Sequence, residues 1–296
     1  MATPELIPPA LRASLKGLRL QTRTLSHASG LGLHTSGGRG SGVEFVQYRA
    51  YEPGDAPRMI DWKLYARADR FFVREAERDS PLEILLLLDT SASMAQQDAQ
   101  RPNYTRLDAA RSLAACVVLL AHQQGEQFSL ATINASDGLR LMPAGTGARH
   151  RDRCFSHLLG AQALGKAASD AQLRPLWQHT RAGSSVLLLS DGFDDALLDL
   201  ATRLASARRQ VLSVQLLCAE ERDFPYEGGM QFHDVEAGVA LVGDGKAMRA
   251  EFLQRFAQAR AELAARFASV GIRHYSHFLD QALELPLRYL FARSAR

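Results

Sequence analysis

The chain contains few cysteines, and their spacing argues against a disulfide framework. Only three cysteines occur among 296 residues, and Cys116, Cys154 and Cys218 are odd in number and widely separated. Small domains that depend on disulfides carry an even, closely spaced set. We therefore expect the three thiols to be reduced core residues in a protein of a reducing compartment.

The sequence also has no long hydrophobic run and little excess charge. Roughly eighteen consecutive apolar residues are needed for a membrane-spanning helix, and no such run occurs. The N-terminal stretch MATPELIPPALRASLKGL lacks the continuous apolar segment of a signal peptide. These features predict a cytoplasmic protein without a membrane partner.

The net charge is only +3, whereas binding to a phosphate backbone calls for concentrated basicity, so nucleic acid is not expected as a partner.

What the sequence does have is a large supply of apolar residues in an alternating pattern. Hydrophobic residues make up 46% of the chain, enough for one large domain with attachments or for two domains. From residue 82 onward, short apolar runs alternate with helical patterns, which predicts a doubly wound α/β fold with a mostly parallel sheet. Strands are predicted at 83–88, 127–133, 139–142, 184–190, 210–217 and 272–278, and helices at 105–123, 149–160, 170–180, 195–208 and 247–270.

Two regions depart from this alternation. Residues 1–80 combine a leucine stripe of helical spacing in residues 1–26, six glycines between positions 30 and 42 and a stretch rich in aromatics and paired charges. They are predicted to form a separate N-terminal module of β and irregular structure, with a turn at EPGD and a short strand in RFFVREA. Residues 81–296 are assigned to the α/β domain, in which residues 219–246 alternate apolar and polar side chains and predict a β-hairpin insertion.

The stretch LEILLLLDTSASM, residues 82–94, carries the clearest chemical signal. Its apolar run is too long for a half-exposed strand and too short for a membrane span, so we interpret it as a strand buried on both faces. Beyond that strand, Asp89, Ser91 and Ser93 offer oxygen donors at alternate positions. A second strand of the same construction, SSVLLLSDGFDD, ends on Asp191. Ligands of open parallel sheets bind beyond the carboxyl ends of the strands, so we expect both carboxylates in one crevice.

These four residues predict a magnesium site. Two neighbouring carboxylates repel each other unless a cation or a shared proton relieves them, and carboxylate and hydroxyl oxygens suit Mg²⁺. The other interpretation of Asp89-x-Ser91-x-Ser93 is a helix N-cap, in which the serine hydroxyls close the first turn. The two interpretations can coexist.

The residues at the strand ends resemble those of a known family. DTSASM followed by a helix, with VLLLSDG about a hundred residues later, resembles the metal-ion-dependent adhesion site of von Willebrand factor A domains. The stretch GRGSGVEFVQYRAYEPGDAPRMIDWKLYAR, which precedes the first strand, is similar to the signature of the bacterial family catalogued as domain of unknown function 58. This resemblance spans residues 30–290, and its N-terminal signature is the most specific part.

The resemblance implies roles for individual residues and a kind of partner. Asp89, Ser91 and Ser93 match the first metal-binding loop, and Asp191 matches the aspartate of the third. For the second loop, where many relatives have a threonine, Ser169 in GKAASDAQL is the first choice and Thr146 the second. Such a site leaves one coordination position for an acidic side chain of a protein partner. Relatives are often associated with AAA-type ATPases of the MoxR class, so the implied function is a non-enzymatic interaction or assembly factor.

An enzyme interpretation starts from the same aspartates. Asp89 at a strand end could accept a phosphoryl group while Asp191 holds magnesium, which describes a magnesium-dependent phosphohydrolase. Position 91 is a serine, where phosphotransferases with paired aspartates have their acid, so we prefer the interaction factor. A partial phosphate-loop pattern, Gly160–Lys166, is followed by Ala167 in place of the hydroxyl that such loops place on magnesium.

Overall fold

The computed structural model describes residues 6–20, 46–51, 57, 60–76, 82–233, 236, 238 and 240–292. The chain divides into two compact units, one of Met1–Leu25 with Leu82–Arg296 and the other of Ser26–Pro81. The strands are β1 Val46–Ala50, β2 Phe72–Ala76, β3 Glu83–Asp89, β4 Gln97–Asp98, β5 Arg101–Thr105, β6 Gln127–Asn134, β7 Gly138–Gly145, β8 Ser185–Ser190, β9 Gln210–Leu217, β10 Gly229–His233, β11 Ala240–Asp244 and β12 Arg273–Phe278. The helices are α1 Pro9–Ser14, α2 Trp62–Ala68, α3 Arg106–Gln124, α4 Gly147–Gly160, α5 Asp170–His179, α6 Asp195–Ser206, α7 Ala219–Asp223, α8 Gly245–Ser269 and α9 Glu284–Phe291.

The larger unit is built on a six-stranded sheet in the order β12-β9-β8-β3-β6-β7. All neighbouring pairs are parallel except β6 with β7, which is antiparallel. This confirms the predicted doubly wound α/β fold with a mostly parallel sheet, an arrangement consistent with von Willebrand A domains. From β3 the chain builds the sheet outward through β6 and β7, and then returns to the other side of β3 to add β8, β9 and β12. The strand order therefore reverses between β3 and β8.

Strand β3 is buried on both faces, as its unbroken apolar run predicts. Ile84, Leu86 and Leu88 belong to one hydrophobic core, and Leu85 and Leu87 belong to another. The first core also contains apolar residues of α1, α3, α4 and α9, and the second contains residues of α5, α6 and α8. Helices on both faces thus hold the central strands rigidly and fix the position of the residues that follow them.

The N-terminal residues differ from the predicted module 1–80. The described residues 6–20 contain only the short helix α1, and Ile7, Leu11 and Leu15 lie in the first core of the sheet unit. The amide of Leu20 donates to Oε1 of Gln124 at the end of α3, 2.9 Å away. These apolar side chains therefore belong to the core of the sheet unit, which also contains residues of α3 and α4.

In the smaller unit, β1 and β2 pair as an antiparallel ribbon. The same unit contains the short helix α2. Asp61 begins α2, and its Oδ1 accepts hydrogen bonds from the amides of Lys63 and Leu64. The strand predicted in RFFVREA is β2, whereas α2 was not predicted. The glycine-rich stretch and the turn at EPGD lie outside the described residues.

The insertion after β9 contains the predicted hairpin. Strands β10 and β11 pair in antiparallel register, from Gly229 with Asp244 to His233 with Ala240. The sequence patterns did not predict α7, the small hairpin of β4 and β5, or the C-terminal helix α9. Among the described helices, none is both long enough and apolar enough to cross a bilayer.

The buried face of β3 gives a test of this packing. Leu86 is fully buried, so Leu86→Ala is expected to lower the free energy of unfolding by about 2–5 kcal/mol, through lost burial and the cavity left behind. Leu241→Ala is the matched control because Leu241 on β11 is 58% exposed, and it should change stability by less than about 0.5 kcal/mol. Urea denaturation measures both values, and equal losses would contradict the assigned positions.

Candidate functional site

The ends of β3 and β8 bring the two predicted aspartates together. The strands pair in parallel up to Leu88 with Leu189, so Asp89 and Ser190 come next on neighbouring strands, and Asp191 follows directly. Ser190 Oγ donates a hydrogen bond to Asp89 Oδ2 at 3.0 Å. Because the strand order reverses at this pair, the loops after β3 and β8 diverge and leave a crevice between them.

Asp89 is almost completely buried, with 3% of its surface exposed. Its Oδ1 accepts a hydrogen bond from the Ser91 amide at 2.9 Å. Burial, and after it the nearby carboxylate of Asp191, raise the pKa of Asp89 from 3.8 to about 7, against the opposing effect of the hydrogen bonds from Ser91 and Ser190. The site thus disfavours negative charge on Asp89 unless a cation compensates it.

Asp191 is held by donors on three sides. Its Oδ2 accepts from Arg106 Nη1 at 3.1 Å, its Oδ1 accepts from the Phe193 amide at 3.2 Å, and its backbone oxygen accepts from Gln215 Nε2 at 3.0 Å. Gly192 has a φ of +80°, and a Cβ at that position would lie 2.9 Å from Gln215 Nε2. The glycine of the SDG motif is therefore required both for the turn and for the space that Gln215 occupies.

Arg106, the first residue of α3, is the single guanidinium of the described site. Besides Asp191, it binds Glu221 Oε2 at 2.7 Å through Nη2 and the Ser93 backbone oxygen at 3.2 Å through Nη1. Burial opposes its charge, but the carboxylates of Glu221 and Asp191 outweigh that effect and raise the pKa of Arg106. It therefore stays charged and neutralises part of the negative charge around it.

A cavity of about 330 Å³ lies where these groups converge. The residues that line it are Asp89, Ser91, Ser93, Arg106, Ala167, Asp191, Phe193, Asp194 and Glu236. Among the described residues, four carboxylates thus face the guanidinium of Arg106, which is itself shared with Glu221. Phe193 is 56% exposed, so the cavity reaches the surface of the sheet unit at that side chain.

Four of the five predicted metal ligands line this cavity, and the fifth does not. Asp89, Ser91, Ser93 and Asp191 meet there, and Ser91 Oγ lies 3.0 Å from Ser93 Oγ. Ser169 is exposed and begins α5, and its hydroxyl donates to Gln172 Oε1 at 3.0 Å. Its hydroxyl therefore serves the first turn of that helix.

The alternative second-loop residue, Thr146, follows β7 at the opposite end of the sheet. Gly145, its neighbour, pairs with Phe128 near the start of β6, whereas Asp89 pairs with Ile133 near the end of that strand. Phe128 and Ile133 are five residues apart on β6, which is a distance of about 17 Å along the strand. Thr146 is thus too far away to contribute to the cavity.

The second loop reaches the cavity through Ala167 instead. This loop is fixed to the first by hydrogen bonds from the Ala92 amide to Gly165 O at 2.8 Å and from the Leu164 amide to Thr90 O at 2.9 Å. Gly165 has a φ of +66° and leaves no room for a Cβ beside Ser136. The loop is therefore tightly packed, and the residue that it presents to the cavity has no hydroxyl.

Three charged residues of the site, Arg106, Asp194 and Glu236, were not predicted from the sequence. Arg106 and Asp194 each lie at the beginning of a helix, and Asp194 belongs to the stretch SSVLLLSDGFDD, in which Asp191 was predicted. Asp194 caps α6 by accepting from the Ala196 amide at 3.0 Å. Burial, and more weakly the charges of Glu236 and Asp191, raise the pKa of Asp194. Glu236 comes from the hairpin insertion, and no local pattern links it to the strand ends.

The oxygen donors of the cavity suit a hard divalent cation. Buried carboxylates and serine hydroxyls are ligands that Mg²⁺ accepts, and the excess of carboxylates over guanidinium is unfavourable in a buried site without further positive charge. The residues present therefore fit the magnesium ion that the sequence predicts, and Asp89, Ser91, Ser93 and Asp191 are the residues that would hold it.

A second group of metal-ligand types has a structural role. Ligand atoms of Asp98, Cys218 and Glu220 lie within 4.8 Å of one another. Asp98 Oδ2 accepts from the Ala219 amide at 2.7 Å, and Glu220 Oε1 accepts from the Ala99 amide at 2.5 Å. Burial raises the pKa of Cys218 to about 12, which keeps the thiol protonated. These bonds fasten the β4–β5 hairpin to α7.

The chain matches one family model and is similar to several known proteins. Residues 47–262 match the family model described as protein of unknown function DUF58. An uncharacterized protein of Mycobacterium tuberculosis is 28% identical over 275 residues, which cover 89% of this chain and 83% of that protein. Among solved structures, the chain is similar to the conserved hypothetical protein BatB from Bacteroides thetaiotaomicron, with a TM-score of 0.42 and 14% identity over 69% of this chain and 93% of that one. It is also similar to an aerotolerance-related membrane protein from Bacteroides fragilis, with a TM-score of 0.44 and 18% identity over 70% of this chain and 96% of that one.

The raised pKa of Asp89 predicts a pH dependence of stability in the metal-free protein. In the unfolded chain this carboxyl loses its proton near pH 3.8, whereas in the folded chain it keeps the proton up to about pH 7. Its contribution to the free energy of unfolding is thus fully present below about pH 4 and is lost as the pH rises through 7.

Asp89→Asn removes this titration, so the stability difference between the variant and the wild type should grow in favour of the variant from pH 4 to pH 7. Urea denaturation in a chelating buffer at several pH values measures it. A difference that stays constant across this range would contradict the assigned environment of Asp89.

Proposed function

The chain belongs to the DUF58 family, and we propose that this member is a non-enzymatic, metal-dependent interaction or assembly factor that binds an acidic group of a protein partner through Mg²⁺. A MoxR-type AAA ATPase is the partner that the family resemblance favours. The observation that carries the proposal is the cavity at the ends of β3 and β8, where Asp89, Asp191 and Asp194 meet two serine hydroxyls beside a single guanidinium.

The metal would serve as the point of attachment. Asp89 and Asp191, with Ser91 and Ser93, would hold Mg²⁺, and the ion would present positive charge to a carboxylate of the partner. Arg106 keeps Asp191 in place through the 3.1 Å contact and limits the repulsion between the carboxylates. The rigid strands behind these residues keep the donors in position before the partner arrives, which lowers the entropic cost of binding.

An apolar contact beside the cavity supports binding to a protein. Phe193 lines the cavity and is 56% exposed. Exposed aromatic side chains next to a polar centre are typical of the residues that contribute most to protein interfaces. A partner that places a carboxylate on the metal would cover this ring at the same time.

Binding of Mg²⁺ to the purified protein is the first test. Since only the folded chain has the site, Mg²⁺ at 100 times its dissociation constant should raise the free energy of unfolding by about 2.7 kcal/mol. Asp89→Asn should abolish this gain because it removes a charged ligand. Asp195→Asn makes the same change at an exposed residue outside the cavity and should retain the gain.

Equal responses of the two variants to Mg²⁺ would contradict the site. The same preparations can be incubated with a generic phosphate ester and Mg²⁺. Turnover that is present in the wild type and absent in Asp89→Asn would identify a phosphohydrolase and overturn the proposal of a non-enzymatic factor.

The second test asks whether a complex between this protein and its partner requires the metal. The MoxR-type ATPase from the same organism should be retained by the immobilised wild-type protein with Mg²⁺ and released by a chelator. Ser91→Ala and Phe193→Ala should each reduce retention, by loss of a ligand and of the apolar contact respectively, whereas Asp195→Asn should not.

Retention that is insensitive to both the chelator and Ser91→Ala would contradict docking through the metal. Absence of retention in every condition would exclude this ATPase as the partner. Circular dichroism of each variant distinguishes a lost contact from lost folding.

A further inference from the structure

The hairpin insertion contributes a carboxylate to the site that no strand-end pattern supplies. Glu236 lies between β10 and β11, is half-buried, and lines the same cavity as Asp89, Asp191 and Asp194. The cavity therefore contains an acidic side chain of the chain itself, of the same type that the proposed function expects from a partner.

Glu236 is anchored to the second loop. The Ala167 amide donates a hydrogen bond to Glu236 Oε2 at 3.1 Å. Lys166, the preceding residue, is held through its backbone oxygen by the Ala135 amide at 2.8 Å, so Ala167 is fixed relative to β6. The family resemblance places a hydroxyl ligand in this second loop. The loop instead presents the backbone N–H of Ala167, and that N–H orients the carboxylate of Glu236.

The charge of the lining residues favours a cation beside Glu236. Among the described residues that line the cavity, Glu236 is the fourth carboxylate, and the guanidinium of Arg106 already binds Asp191 and Glu221. Carboxylates this close repel one another in a partly buried site. A divalent ion would attract every one of these groups.

We propose that Glu236 is an intramolecular acidic ligand of the metal, occupying the coordination position that the proposed function gives to the partner's carboxylate. This inference rests on the proposed function and adds to it a form of regulation. The hairpin and the partner compete for one position, so a partner binds only when its carboxylate displaces that of Glu236.

Mn²⁺ in place of Mg²⁺ allows this ligand to be observed directly. Electron paramagnetic resonance measures the affinity for Mn²⁺, and water-proton relaxation reports the number of water molecules on the bound ion. Glu236→Gln should weaken Mn²⁺ binding by about 10-fold or more, the scale expected for loss of a supporting group at a metal site. It should also add a coordinated water, and acetate should displace that water at lower concentration than in the wild type.

Glu227→Gln is the matched control. Glu227 lies in the same insertion, is exposed and does not line the cavity, so its variant should match the wild type in affinity, hydration and response to acetate. If the wild type binds Mn²⁺ and Glu236→Gln matches it in affinity and hydration, the intramolecular ligand is refuted while the metal site stands. If neither protein binds Mn²⁺, the proposed function itself fails, and the role of Glu236 fails with it.

Discussion

The parallel pairing of β3 with β8 is the constraint on which the rest of the site depends. Because Leu88 pairs with Leu189, the next residues place Asp89 and Asp191 at one edge of the sheet with Ser190 between them. Both strands are buried on both faces, so neither carboxylate can move away from the other without disrupting the core. The repulsion between them is therefore built into the fold and must be compensated locally.

The compensation is divided among several groups. Hydrogen bonds from Ser91 and Ser190 satisfy the two oxygens of Asp89, and Arg106 neutralises part of the charge of Asp191. These contacts leave Asp89 with a pKa of about 7, so the chain alone does not stabilise its charged form. In a site of this kind, all carboxylates are ionised only when a cation is bound. Binding of the cation can therefore be coupled to recognition of a further acidic group.

Much of this could be predicted from the sequence because the relevant signals are local. The apolar runs of β3 and β8 indicate buried strands, and parallel strands end at the same edge, so the meeting of Asp89 with Asp191 follows from two short stretches. The second loop could not be predicted in the same way. Ser169 has the right chemistry, but the chain turns its hydroxyl toward Gln172, and the direction of a loop residue depends on contacts distant in sequence.

Glu236 and the N-terminal leucines show the same limit. Glu236 comes from the hairpin insertion and meets the Ala167 amide of a loop distant in sequence, and an amphipathic helix such as α1 does not reveal which unit it packs against.

The central claim, that a divalent ion binds among these carboxylates, is tested most directly by an anomalous difference map of crystals soaked with Mn²⁺. The account predicts a peak bounded by Asp89, Ser91 and Asp191, and a map with no peak in this cavity would contradict it.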